Sequence, residues 1–116
     1  MLKPEVLRNK KDFTALYKRG KSVGGKYVVL FYRGNGLSYN RKAFLASKKV
    51  GNSVKRNRAR RLMKEGFRTA GGDITEGYDI LFIARNTIER VKCGDVAFSI
   101  KAVLKKSKIW REGGRG

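Results

Sequence analysis

At 116 residues and 13.1 kDa the chain has the length of one small domain, and 29 Lys+Arg against 9 Asp+Glu give it a formal charge of +20. A hydrophobic share of 41% supports a modest core, so this is not a disordered basic tail. The absence of histidine excludes Ser-His and Cys-His dyads and His-ligated metal motifs, and the lone Cys93 excludes an internal disulfide, in keeping with a reducing cytoplasm.

The predicted elements run as follows. Asn9 caps a helix over residues 10–19, with Gly20 as its stop and Phe13, Leu16 and Tyr17 on one face. Residues 27–33 (YVVLFYR) read as a strand ending in the turn Gly34-Asn35-Gly36. Residues 41–47 form a second strand, whose proximity predicts antiparallel pairing with the first. Asn52 or Ser53 caps a long helix reaching about Thr69. Residues 78–84 (YDILFIA) are almost wholly apolar, as in a strand buried on both faces. Cys93 precedes a last helix that starts at Asp95 and carries the stripe Val96, Ile100, Val103 and Leu104. The whole is an α+β chain, a two-layer α-β sandwich in one domain spanning 1–116, with flexible ends at 1–8 and 111–116.

Charge is distributed unevenly. Residues 13–64 contain fifteen Lys+Arg and no acid, whereas five of the nine acids fall between Asp73 and Asp95. Solubility needs far less than +20 and normally mixes both signs, so one face carries unbalanced positive potential. No apolar run approaches the ~20 residues of a spanning helix, and residues 1–8 lack a signal-peptide core. A polyanion such as nucleic acid fits better than a membrane.

The strongest segment is residues 55–64 (KRNRARRLMK), with six basic residues and no acid. Helical spacing puts Ala59, Leu62, Met63 and Gly66 on a packing face and Asn57, Arg60, Arg61 and Lys64 opposite, with Arg56 and Arg58 on the borders. Arginine forks grip phosphate in bidentate fashion, though phosphate contacts hold no sequence information.

The run SKKVGNSVKRNRARRL over residues 47–62 closely resembles the hallmark of the bacterial ribonuclease P protein component. The likeness extends over nearly the whole chain, through KKDF…Y, YVVLF, YDILFIA and the closing KKSKIW. It departs mildly, with Ser53 for a usual alanine, Arg60 for a frequent lysine, Lys64 for a frequent arginine, and Ala43 where a glycine is common. The resemblance implies a fold ordered αβββαβα, like domain 2 of ribosomal protein S5, with a first strand near Ser22 and Val23 and a left-handed βαβ crossover through the basic helix. It implies a partner, the catalytic RNA of ribonuclease P, contacted by Lys48, Lys49, Arg56, Asn57, Arg58, Arg60, Arg61 and Lys64. It also implies a cleft for the 5′ leader of precursor tRNA at Phe13, Tyr17, Val29 and Phe31, where rings stack on unpaired bases. Phe31 stands where tyrosine is frequent. Periodicity alone favours a core role for Phe13 and Phe31. No carboxylate cluster in the basic half can hold Mg²⁺, so no catalytic residue, metal ligand or small-molecule substrate is assigned to the chain; the resemblance implies that the expected cofactor, Mg²⁺, is held mainly by the RNA subunit. A ribosomal or other structural RNA-binding protein is the alternative.

Overall fold

The computed structural model describes residues 6–7, 9–70, 73–88 and 91–111. Their elements are α1 (Lys10–Arg19), β1 (Lys21–Gly24), β2 (Val28–Gly34), β3 (Arg41–Leu45), α2 (Ser53–Ala70), β4 (Asp73–Ile74), β5 (Tyr78–Ala84), α3 (Cys93–Ser107) and β6 (Trp110–Arg111). The main sheet has the order β1-β2-β5-β3. β4 and β6 form a separate ribbon too short to leave a sequence signature.

The expected antiparallel pairing of β3 with β2 is not what forms. β5 lies between them, antiparallel to β2 and parallel to β3, so β3, α2 and β5 make a βαβ unit. Burial explains the order. Ile80, Leu81 and Phe82 of β5 are all fully buried, and an interior position protects an apolar strand on both faces and both edges.

Side chains alternate along each strand and divide the core in two. On one face Val28, Leu30, Ile80 and Phe82 pack against Ala59 and Met63 of α2 and Val96, Ile100, Val103 and Leu104 of α3. Phe44 stacks on Phe82 at 5.6 Å, and Phe67 of α2 closes this aromatic trio. The other face carries α1, with Leu16 fully buried among Leu7, Ala43 and Leu81. Alanine at 43 thus lies in the seam beneath α1. The alternation in β2 and the amphipathic stripes of the helices generate the layers.

Three boundaries differ from expectation. Leu7, placed in a flexible end by sequence, is buried and its N–H donates to the Lys42 carbonyl at 2.9 Å, because its side chain completes the core under α1. Arg111, at the other expected flexible end, lies in β6, whose backbone is in antiparallel register with Asp73 of β4; residues 1–5, 8 and 112–116 lie outside the described set. The last helix begins at Cys93, two residues before Asp95.

Two glycines act through space rather than through φ. Gly20 stops α1 with extended backbone, and a Cβ there would sit 2.6 Å from the Leu16 carbonyl oxygen. In α2, a Cβ on Gly66 would lie 3.1 Å from the backbone nitrogen of Ala97, so glycine sets how closely α2 and α3 approach. Gly66→Val is expected to destabilise the fold by about 2 kcal/mol or more in urea unfolding, since a branched side chain forces the helices apart. An unchanged midpoint and slope would show that the seam yields freely.

Candidate nucleic-acid interface

The turn before α2 is built by its own backbone. Val50 is buried and its N–H donates to the Ser47 carbonyl at 3.0 Å, which leaves Lys48 and Lys49 exposed. Gly51 has φ +141°, a region side chains rarely adopt, and a Cβ would collide with Lys55 at 2.5 Å. Asn52 is the cap: its Oδ1 accepts from the Lys55 N–H at 3.0 Å and its carbonyl from Arg56 at 2.9 Å. The first turn of α2 has no acid. Lys55 and Arg56 therefore stand at the positive end of the helix dipole, an arrangement that favours a bound anion.

Along α2, Ala59, Met63 and Gly66 are buried, while Asn57, Arg61 and Lys64 are exposed and Arg60 is half-buried. Val54, Asn57, Arg60, Arg61 and Lys64 line an open concavity on the outer surface. Arg56 donates to Ser53 Oγ at 3.3 Å, and Arg60 donates to Asn57 Oδ1. Arg58 is different: its Nη2 donates to the Val91 carbonyl at 3.1 Å, so it also ties α2 to the segment before α3. Among the described residues, the ion pairs are Arg41 with Asp12 and Asp79, and Arg68 with Glu65. The Arg68 hydrogen bond holds the Glu65 carboxyl below the usual carboxylate range, and Arg68 lies outside the basic run. The arginines at 56, 58, 60 and 61 meet no carboxylate among the described residues.

The second part of the site lies on the α1 face of the sheet. Register aligns three rows there: Arg33, Asp79 and Arg41; Phe31, Leu81 and Ala43; Val29, Ile83 and Leu45. α1 covers the middle row with Leu16 and reaches the first through Asp12, which contacts Arg41 at 3.1 Å. The third row is only half covered, and Leu45 is exposed. Tyr17 projects from α1, 49% exposed, with its ring edge-on to Phe31 at 5.3 Å. Of the four cleft residues read from sequence, Tyr17 is thus the open one. Phe13, Val29 and Phe31 are half-buried, and Phe13 and Phe31 pack against the core beneath α1.

Sequence reasoning missed Ile83 and Leu45, which extend the half-covered row from Val29, although period-two alternation puts them on the α1 face. It also missed the polar tie at the first row. Asp79 is 4% exposed and takes a bidentate grip from Arg41, with Nε–Oδ1 2.8 Å and Nη2–Oδ2 2.7 Å. The half-open row ends at Leu45, and the chain leads from there through Lys48 and Lys49 into α2. The apolar row and the start of α2 are thus joined by the short connection of residues 46–52.

A family model described as Ribonuclease P matches residues 1–108. The chain belongs to the ribonuclease P protein family. The ribonuclease P protein component of Caldanaerobacter subterraneus subsp. tengcongensis is 38% identical over 106 residues, 91% of each chain. That of Pelotomaculum thermopropionicum is 39% identical over 107 residues, 92% of this chain and 96% of its own. In structure, the RNase P protein of Staphylococcus aureus matches with TM-score 0.82 at 30% identity, over 94% of this chain and 100% of that one. The Thermotoga maritima RNase P protein matches with TM-score 0.77 at 35% identity, over 88% and 96%. The ribonuclease P protein family serves 5′ maturation of tRNA, and the endoribonuclease activity resides in the RNA. Membership sets aside the ribosomal alternative. Among the described residues no helix is long and apolar enough to cross a membrane.

Proposed function

We propose that this chain grips the catalytic RNA of ribonuclease P through Lys48, Lys49, Arg56, Asn57, Arg58, Arg60, Arg61 and Lys64, and receives the 5′ leader of precursor tRNA in the cleft between α1 and the sheet. The observation that carries this reading is an arginine run on α2 that meets no carboxylate among the described residues, joined through Lys48 and Lys49 to a half-covered apolar row. Phosphates need fixed cations, and packing α2 on the sheet fixes them at helical spacing with little entropy left to lose. A leader of varied sequence needs tolerant contacts, and aromatic rings supply them because every base has a π-face.

Mg²⁺ fits the RNA better than the protein. Among the described residues no group of three or more His, Cys, Asp or Glu side chains converges, and no acid occurs from Phe13 to Lys64. The chain's own contribution is electrostatic: its cations offset phosphate repulsion where RNA and substrate meet, which strengthens leader binding at low ionic strength. A cytoplasmic setting accords with this role. Adding the chain to a cognate catalytic RNA is expected to restore precursor cleavage at Mg²⁺ concentrations where the RNA alone is slow. No stimulation at any Mg²⁺ concentration would refute the assignment.

Tyr17 offers the cleanest test of the cleft, because it is exposed and its loss leaves the core intact. Tyr17→Ala is expected to weaken leader-bearing precursor by about tenfold, from ~1–3 kcal/mol for one stacked base, and to leave mature tRNA unaffected. Equal losses for both ligands would remove the leader from this cleft.

A further inference from the structure

We infer that α3 carries a separate stacking site for an unpaired RNA base, centred on Phe98. The inference rests on the reading of the chain as an RNA binder, but its groove shares no residue with either part of the site above. α3 lies across the sheet from α1, and its buried face is made by Val96, Ile100, Val103 and Leu104. Phe98 projects from the opposite side and is 77% exposed. It adds nothing to the core.

Beside Phe98 runs a groove between α3 and the turn joining β1 to β2. Gly24, Lys26, Asp95, Phe98, Ala102 and Lys106 line it. On α3 these fall at 95, 98, 102 and 106, a single helical stripe. The turn is fastened in place. A Cβ on Gly25 would lie 2.7 Å from Val103 Cγ1, the Tyr27 N–H donates to Ser99 Oγ at 3.3 Å, and Arg85 Nη1 donates to the Gly25 carbonyl at 2.9 Å. Thr87 Oγ1 donates to the Lys26 carbonyl as well. The groove is therefore preformed, and little order has to be imposed when a ligand enters.

Charge selects the occupant. A second copy of a chain with net charge +20 is repelled, whereas a nucleotide offers a ring for Phe98 and a phosphate for Lys26 and Lys106. Asp95 sets the direction. Its carboxylate repels phosphate and accepts hydrogen bonds from exocyclic amino groups, so the base edge points towards Asp95 and the backbone towards the lysines.

The test is a titration of the full chain with a single-stranded RNA hexamer of mixed sequence, followed by the backbone amide signals of Gly24 and Lys26. Saturable shifts at both are expected. Phe98→Ala should raise the dissociation constant read at these amides about tenfold without changing its salt dependence, because stacking releases no counterion. Phe98→Trp should retain binding and Phe98→Leu should not. Three results would overturn the site: hexamer shifts confined to α2 amides, full affinity in Phe98→Leu, or a concentration-dependent dimer in sedimentation that Phe98→Ala abolishes. The first of these leaves the RNA-binding reading standing, whereas absence of shifts anywhere removes both.

Discussion

Replacing Arg56 and Arg61 together by alanine is expected to weaken binding of the catalytic RNA about a hundredfold at low salt, with the loss shrinking as salt rises. A charge-assisted hydrogen bond from a guanidinium to phosphate is worth about 1.5–3 kcal/mol, so removing two such contacts would cost ~3 kcal/mol or more. The slope of log affinity against log salt should flatten by up to ~0.9 for each phosphate that is no longer neutralised. These two positions isolate recognition from stability. Arg61 is exposed with no partner among the described residues, and Arg56 makes only a long hydrogen bond to the Ser53 hydroxyl. Arg58→Ala would be ambiguous, since it also severs the hydrogen bond to the Val91 carbonyl. An unaltered salt slope in the double variant would mean that neither arginine touches phosphate.

The same electrostatics bear on the free protein. The basic run begins at the positive end of α2's dipole with no acid in its first turn, so its cations repel one another and the helix end until an anion binds. The surface proposed to bind RNA is thus held against its own charge by the apolar underside of α2, where Ala59, Met63 and Gly66 are buried.

Local features were legible in the sequence because they depend on local rules. The Asn9 cap, the amphipathic faces of α2 and α3 and the doubly buried strand 78–84 all follow from residue type and spacing. The strand order was not legible from local rules. Neither residues 27–33 nor 41–47 encode that a strand more than thirty residues later inserts between them; the choice lies in a long-range competition that β5 wins by being the most apolar. The family resemblance implies β1 near Ser22 and Val23, where Lys21–Gly24 forms it, although the segment is too short and polar to read as a strand by itself. In the site, the basic run was legible because charge is one-dimensional information. The balance between ring exposure and core packing at Phe13, Tyr17 and Phe31 was not, because all three share one helical or strand face and differ only in how α1 lies on the sheet. α1 is in turn tied to the sheet through Asp12, Arg41 and Asp79, which stand far apart in the chain.

Asp79→Ala is expected to produce the largest loss of stability, about 3–5 kcal/mol, with a fall in melting temperature of roughly 10 °C or more. The Asp79 carboxylate is buried and fully engaged, taking two hydrogen bonds from Arg41 and a third from Asn35 Nδ2 at 3.0 Å. That hydrogen bonding holds the Arg41 guanidinium above the ordinary arginine range, against the opposing effect of desolvation. Without Asp79, Arg41 keeps only the more exposed Asp12, and a partly buried cation is left undercompensated. Asp12→Ala should cost about 1 kcal/mol or less, as for an accessible pair. Replacing Arg41 and Asp79 together by methionine and leucine should restore much of the stability, because the cost lies in orphaning one charge rather than in losing the pair. The double replacement also separates folding from substrate choice. It removes the anchor that Asp12 uses to hold α1 over the sheet, so Tyr17 should lose its fixed position against Phe31 and precursor should lose its advantage over mature tRNA even in a stable fold. A stable double variant with undiminished preference for the leader would show that core packing at Leu16 alone sets the position of α1.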